Sequence, residues 1–94
     1  MTDARVFVWV FNGEGARFAS GVFTLRENAV AWILLHRLTG ILTRYPVDTG
    51  VYDWAIQTGC FRPKRAEQQA PVFIGTFTCA ALEHAHFENG VVVS

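Results

Sequence analysis

Residues 83–90, EHAHFENG, carry the side chains in this chain best suited to chemistry. His84 and His86 stand two apart, with Glu83 and Glu88 on either side. On a strand, positions i, i+2 and i+4 point the same way, so His84, His86 and Glu88 share a face. Two imidazoles and a carboxylate are the beginning of a zinc site. Zinc takes at least three protein ligands, each imidazole oriented by a further group. No third strong ligand stands nearby, and His36, the remaining histidine, falls on the core side of a helix. The segment therefore reads as the polar face and closing turn of the last strand, able to contribute to a binding surface. No metal and no other cofactor is expected. The alternative is a small-molecule- or metal-binding protein or enzyme using the His84, His86 and Glu88 face.

Other catalytic sets are weaker. Ser20 and Ser94 are the only serines, and Ser20 lacks a nucleophile-elbow context. Cys79 alternates to the face opposite the two histidines. Asp48 with Asp53, or Glu83 with Glu88, read more simply as helix caps and surface charge than as acid–base pairs. The NGEG of residues 12–15 lacks phosphate-loop spacing and makes a good hairpin turn. The balance leans against an enzyme. A recognition surface is suggested by Tyr45, Tyr52 and Trp54, which cluster in RYPVDTGVYDW with Asp48 and Asp53 between them. The competing reading puts Trp54 in the core and the tyrosines half-buried.

Composition bounds the rest. A chain of 94 residues makes one domain with one modest core. With 51% hydrophobic and 17% charged residues it is no disordered chain, and some apolar surface is left over once the core is full. Zero formal net charge argues against a general nucleic-acid binder and gives little protection against self-association. The opening MTDARVFVWVF carries an acidic residue and an apolar run too short for a secretory or membrane segment. Cys60 and Cys79 lie outside any CxxC pair and read as reduced, buried thiols of a cytoplasmic protein, with a single bridge as the exported alternative.

The elements that position these residues follow from pattern. Residues 5–11 form a continuous β-branched and aromatic run, hence a central strand buried on both faces. Asn12-Gly13 and Gly15 turn the chain, and residues 17–23 return, with Gly21 marking a bulge or a close backbone approach. Thr24 and Glu27 make a capping box for a helix over 25–38, ended by Gly40. Its core face carries Leu25, Ala29, Trp32, Ile33 and His36. Val30 and Leu34 fall beside the polar side, where a lone domain places charge. Residues 41–45 are a third strand, ended by Pro46. Residues 51–58 read as a short helix capped by Asp48 and Gly59, with a hairpin strand as the rival. Residues 62–71, which include the small basic patch RPKR, form an exposed loop. One long strand runs from Thr76 to Glu88, and VVVS is an edge strand or a frayed tail. The sum is an α+β fold, ββαβ(α)β: a small antiparallel-rich mixed sheet with one main helix on one face. Strand 3 runs in the direction of strand 2, and a right-handed crossover over strand 1 gives the order 2-1-3.

Nearly the whole chain is similar to a family of small bacterial proteins known as a domain of unknown function. The segments that carry the likeness are FVWVFNGE, FASGVF, YPVDTGVYDWAI, FIGTFT and the EH.HFENG block. The resemblance implies kinship and no mechanism, since the family has no established activity. In the family pattern the positions of Val30, Leu34 and Leu35 are polar or small, and here all three are apolar. That departure points to self-association through Val30 and Leu34. The expected function is a small non-catalytic protein-binding or regulatory module, of immunity type for instance. Its partner is another protein or a second copy, not nucleic acid or membrane.

Overall fold

The computed structural model describes residues 6–94. Five strands form one sheet in the order β2-β1-β3-β4-β5: β1 Phe7–Gly13, β2 Gly21–Phe23, β3 Gly40–Pro46, β4 His84–Glu88 and β5 Val91–Val92. Three helices accompany it: α1 Arg26–His36, α2 Val51–Gln57 and α3 Pro71–Gly75. A 3-10 turn, Ala66–Gln69, precedes α3. The α+β class and the order 2-1-3 stand, with β2 and β3 running the same way on either side of β1. Every pairing is antiparallel, so the sheet is not mixed. The central strand is β3 rather than β1.

Strand alternation divides the sheet into two faces. Trp9, Phe11, Leu42, Ala85 and Phe87 fall on one side, and α1 lays Ala29 and Ile33 onto them. Ile33 and Leu42 are wholly buried, the signature of a single core plane. Trp32 extends that plane towards β2, its ring against Phe11 and Phe23. Arg26, at the start of α1, lies over the Trp9 ring, and Arg44 lies 3.8 Å from the Phe7 ring centroid, placing cations over core-side rings. On the opposite face Val8 and Val10 are only half-buried, so β1 is not buried on both sides. Arg5, at the start of the expected strand, lies outside the described residues.

Several boundaries move for identifiable reasons. The return strand shrinks to Gly21–Phe23, because the Ala16 N–H closes a turn on the Gly13 carbonyl and the Glu14 N–H goes to Thr39 instead. The expected close approach at Gly21 is present: a Cβ there would lie 2.7 Å from the Phe23 ring. The capping box does not form, and Leu25 occupies the N-cap without a side-chain hydrogen bond. The helix ends at Arg37 rather than Gly40. Arg37 takes the left-handed conformation, and Arg37 and Leu38 donate back to Leu34 and Ile33 in a Schellman pattern. Leu25 and His36 consequently sit beyond the packed turns and are exposed, whereas Val30 packs against the core edge.

Residues 51–57 are the helix and not the hairpin strand. Gly59, at φ 79°, follows its end as expected, but Gly50 rather than Asp48 is the N-cap. The long last strand is the largest correction. Pro71 starts α3, a position where its missing N–H costs nothing, and residues 76–83 are irregular. Phe77 is drawn into a second cluster with Tyr52, Phe61 and Phe73, with ring centroids 4.8–6.3 Å apart. Only residues 84–88 keep the ladder. Both cysteines are free; Cys60 is exposed and Cys79 half-buried, so the expectation of two buried thiols fails.

Gly40 opens β3 under the tightest steric constraint in the sheet. A Cβ there would collide with the Asn12 carbonyl and reach within 2.8 Å of the Phe11 ring. Gly40→Ala is expected to lower stability by about 1–3 kcal/mol in urea denaturation, the usual cost of overpacking. Gly75→Ala, where nothing lies within 4 Å, should change it by less than about 0.5 kcal/mol.

Candidate functional site

Two surfaces collect the residues of interest, and both are built on β4. The first is the sheet face away from α1. Alternation along β4 exposes His84, His86 and Glu88 and buries Ala85 and Phe87. The imidazoles are neighbours, with centroids 5.8 Å apart at 74°. Across the ladder Thr43 stands opposite His84 and Ile41 opposite His86. His84 Nδ1 lies 2.7 Å from the Leu82 carbonyl. A carbonyl only accepts, so Nδ1 carries the proton in this contact. The sequence pattern places the three groups together, but no group of three or more His, Cys, Asp or Glu among the described residues is placed to hold a metal.

Beside this row lies a cavity of about 530 Å³. Asn12, Glu14 and the Gly13 and Gly15 backbone form one wall; His86, Glu88 and Ser94 form another. The β1–β2 turn, read from sequence only as a hairpin, thus joins the histidine face through the Glu14 N–H bond to the Thr39 carbonyl, 3.0 Å long. Nothing in the spacing of NGEG and HAH signals that meeting, because it depends on β3 pairing with both strands.

The aromatic candidates separate. Tyr45 is half-buried on β3, opposite Val8. Tyr52 is buried, its hydroxyl donating to the Gln68 carbonyl at 2.9 Å, so its ring serves the second cluster. Trp54 is half-buried on α2, with Asp53 exposed beside it. Asp48 is exposed in a left-handed turn position, φ 64°. These five residues therefore offer edges of several elements and no continuous aromatic platform.

The second surface is the flank where α1 meets β5. Asn89 and Gly90, both at positive φ, make the two-residue turn that returns β5 along β4. Gly90 also touches the helix end: a Cβ would stand 3.1 Å from the Leu34 Cα, and its N–H donates to the Leu38 carbonyl at 2.8 Å. This docking aligns Val30 and Leu34 of α1 with Phe87 and Val92 along an apolar groove of about 250 Å³. Leu34 is 58% exposed, Leu35 73% and Val92 52%. The sequence signal for Val92 was the NG turn followed by three valines; it was read as an edge strand or a tail, without the groove.

The fold and these surfaces define a class: a small α+β domain whose antiparallel sheet is covered by one helix on one side. Within that class the chain matches the model of the family described as Domain of unknown function (DUF7710) over residues 8–93, and it belongs to that family. No curated protein and no solved structure matches it significantly. No helix among the described residues is long and apolar enough to cross a membrane.

The His84 tautomer is directly observable. Long-range ¹⁵N–¹H NMR at a pH where the ring is neutral should show His84 protonated at Nδ1. A predominant Nε2–H form would contradict the Leu82 hydrogen bond.

Proposed function

We propose that this chain is a non-catalytic, protein-binding module of regulatory or immunity type, working in the bacterial cytoplasm. The observation that carries the reading is the apolar flank between α1 and β5. Val30, Leu34 and Val92 line one groove beside a strand edge, and both Leu34 and Val92 are more than half exposed. Aliphatic side chains lining a groove at an open sheet edge are what an extended or helical partner segment buries on binding. Free Cys60 and Cys79 fit a reducing compartment. Tyr45, Asp48, Asp53 and Trp54 are candidates for the rim of a larger contact, as polar and aromatic groups commonly are.

Val30 is a poor site for testing this, since it supports the core. Leu34 is the better one. Tagged wild-type protein is expected to retain a defined partner from its host lysate, and Leu34→Lys to lose it with its far-UV spectrum unchanged. Equal retention by both would count against the groove.

A second reading rests on the cavity beside His86. It is of ordinary size for a small ligand and places Asn12, Glu14, His86 and Glu88 around one space. A small polar or cationic ligand would suit those groups. In a thermal-shift screen of simple amines and polyols, this reading expects a dose-dependent rise in Tm that Glu14→Ala, which touches only the cavity, removes. A screen without any such rise would retire it.

A further inference from the structure

We infer that the β5 edge pairs with the β5 edge of a second copy of this chain, antiparallel about Val92, bringing the two α1 helices together through Leu34. This rests on the reading of the α1–β5 flank as a protein-binding surface, and it names the partner.

The hydrogen-bond register of β5 leads to it. The Val93 N–H donates to the His86 carbonyl at 2.8 Å, and the His86 N–H donates to the Ser94 carbonyl at 2.9 Å. Val93 and Ser94 together thus oppose His86, a bulge that ends the regular ladder. Glu88 and Val91 flank the two-residue turn. Between these inward-facing positions, Val92 opposite Phe87 is the non-hydrogen-bonded pair. Its N–H and C=O therefore point outwards, off the open edge of the sheet. The Gly90 N–H is already committed to Leu38. The edge thus offers one free donor–acceptor pair centred on a single residue.

Such an edge is self-complementary. A two-fold axis beside Val92 lets each Val92 N–H donate to the other copy's Val92 carbonyl, the isologous arrangement of a closed dimer. A long strand from another protein would gain little beyond that pair, because the turn lies on one side and the bulge on the other. The same axis, running normal to the sheet, keeps both α1 helices on one face. Val92 shares the core side with Phe87, so it points to the side on which α1 lies.

Size and charge agree with a second copy. A stable dimer buries about 800 Å² per partner, far more than one strand pair supplies. The helices must therefore contribute, and Leu34 is the exposed aliphatic of α1 that lines the groove. Among the described residues, Arg26 is the only charged one lining the groove. Zero formal net charge leaves no overall repulsion between two copies.

Sedimentation equilibrium on wild type, Val92→Pro and Leu34→Lys tests the inference. Proline removes the outward N–H and is tolerated at a sheet edge, and Leu34→Lys charges the helix contact without touching the core. The expected wild-type mass is twice 10.5 kDa. Each variant should raise the dimer dissociation constant by at least about 10-fold, equivalent to about 1.4 kcal/mol. Should Val92→Pro fail to fold, Leu34→Lys gives the same readout. A wild type that stays monomeric, or a dimer unaffected by Leu34→Lys, overturns self-pairing. A monomer that still retains a host protein through Leu34 overturns only the second copy and leaves the partner-binding reading standing.

Discussion

The structure depends on one contact plane, where Ala29 and Ile33 of α1 meet Leu42 and its neighbours Phe11, Ala85 and Phe87. Its reach is limited by simple geometry. An eleven-residue helix is about 16 Å long, and five strands span about 19 Å between their outermost members. The helix is also only about 10 Å wide with its side chains. It cannot cover the sheet from edge to edge. Trp32 fills the β2 side, where its ring meets Phe23. On the β5 side α1 presents the aliphatic Val30 and Leu34, which with Phe87 and Val92 are left around a groove. The exposed flank is thus a consequence of where the one tryptophan on α1 was placed.

A second cluster relieves the sheet of a different burden. Tyr52, Phe61, Phe73 and Phe77 pack together outside the main core. This cluster converts the segment between β3 and β4 from a loop into a small folded unit. Pro71 starts α3, which carries Phe73, and Gln68 accepts the Tyr52 hydroxyl bond through its carbonyl. The polar stretch around Arg62 and Lys64 remains exposed over this unit, as its composition suggests. Aromatic residues that look like a recognition surface in sequence are here partly the interior of a satellite core.

What was legible in the sequence was whatever local physics decides. The middle of the α1 core stripe (Ala29, Trp32 and Ile33), the Asn89-Gly90 turn and the alternation of residues 84–88 all follow from periodicity and backbone preference, and all are present. The strand order was recoverable because a turn returns β2 along β1 and the α1 crossover carries the chain past β1 to β3. Illegible features were decided by tertiary competition. Thr76 to Glu83 alternates well enough to be a strand, yet Phe77 gains more in an aromatic cluster than on the sheet. Thr24 and Glu27 have the right spacing for a cap, but the N-cap falls on Leu25, one residue past Thr24. The cavity by His86 joins turns far apart in sequence, and no local signal reports that. The candidate site was half readable for the same reason: the histidine row is local, and its walls are not.

The two surfaces are not independent, because β4 belongs to both. His84, His86 and Glu88 project from one side of it, and Ala85 and Phe87 anchor it to the core on the other. His86 is also the residue against which the β5 bulge is formed, through both its N–H and its carbonyl. A substitution in β4 therefore disturbs the histidine face and the β5 edge together, and its effect cannot be assigned to either. Leu34 and Val92 line only the groove, while Asn12 and Glu14 line only the cavity. The residues that distinguish a protein partner from a small ligand are thus those flanking the hairpin, not the histidines that first draw the eye in EHAHFENG.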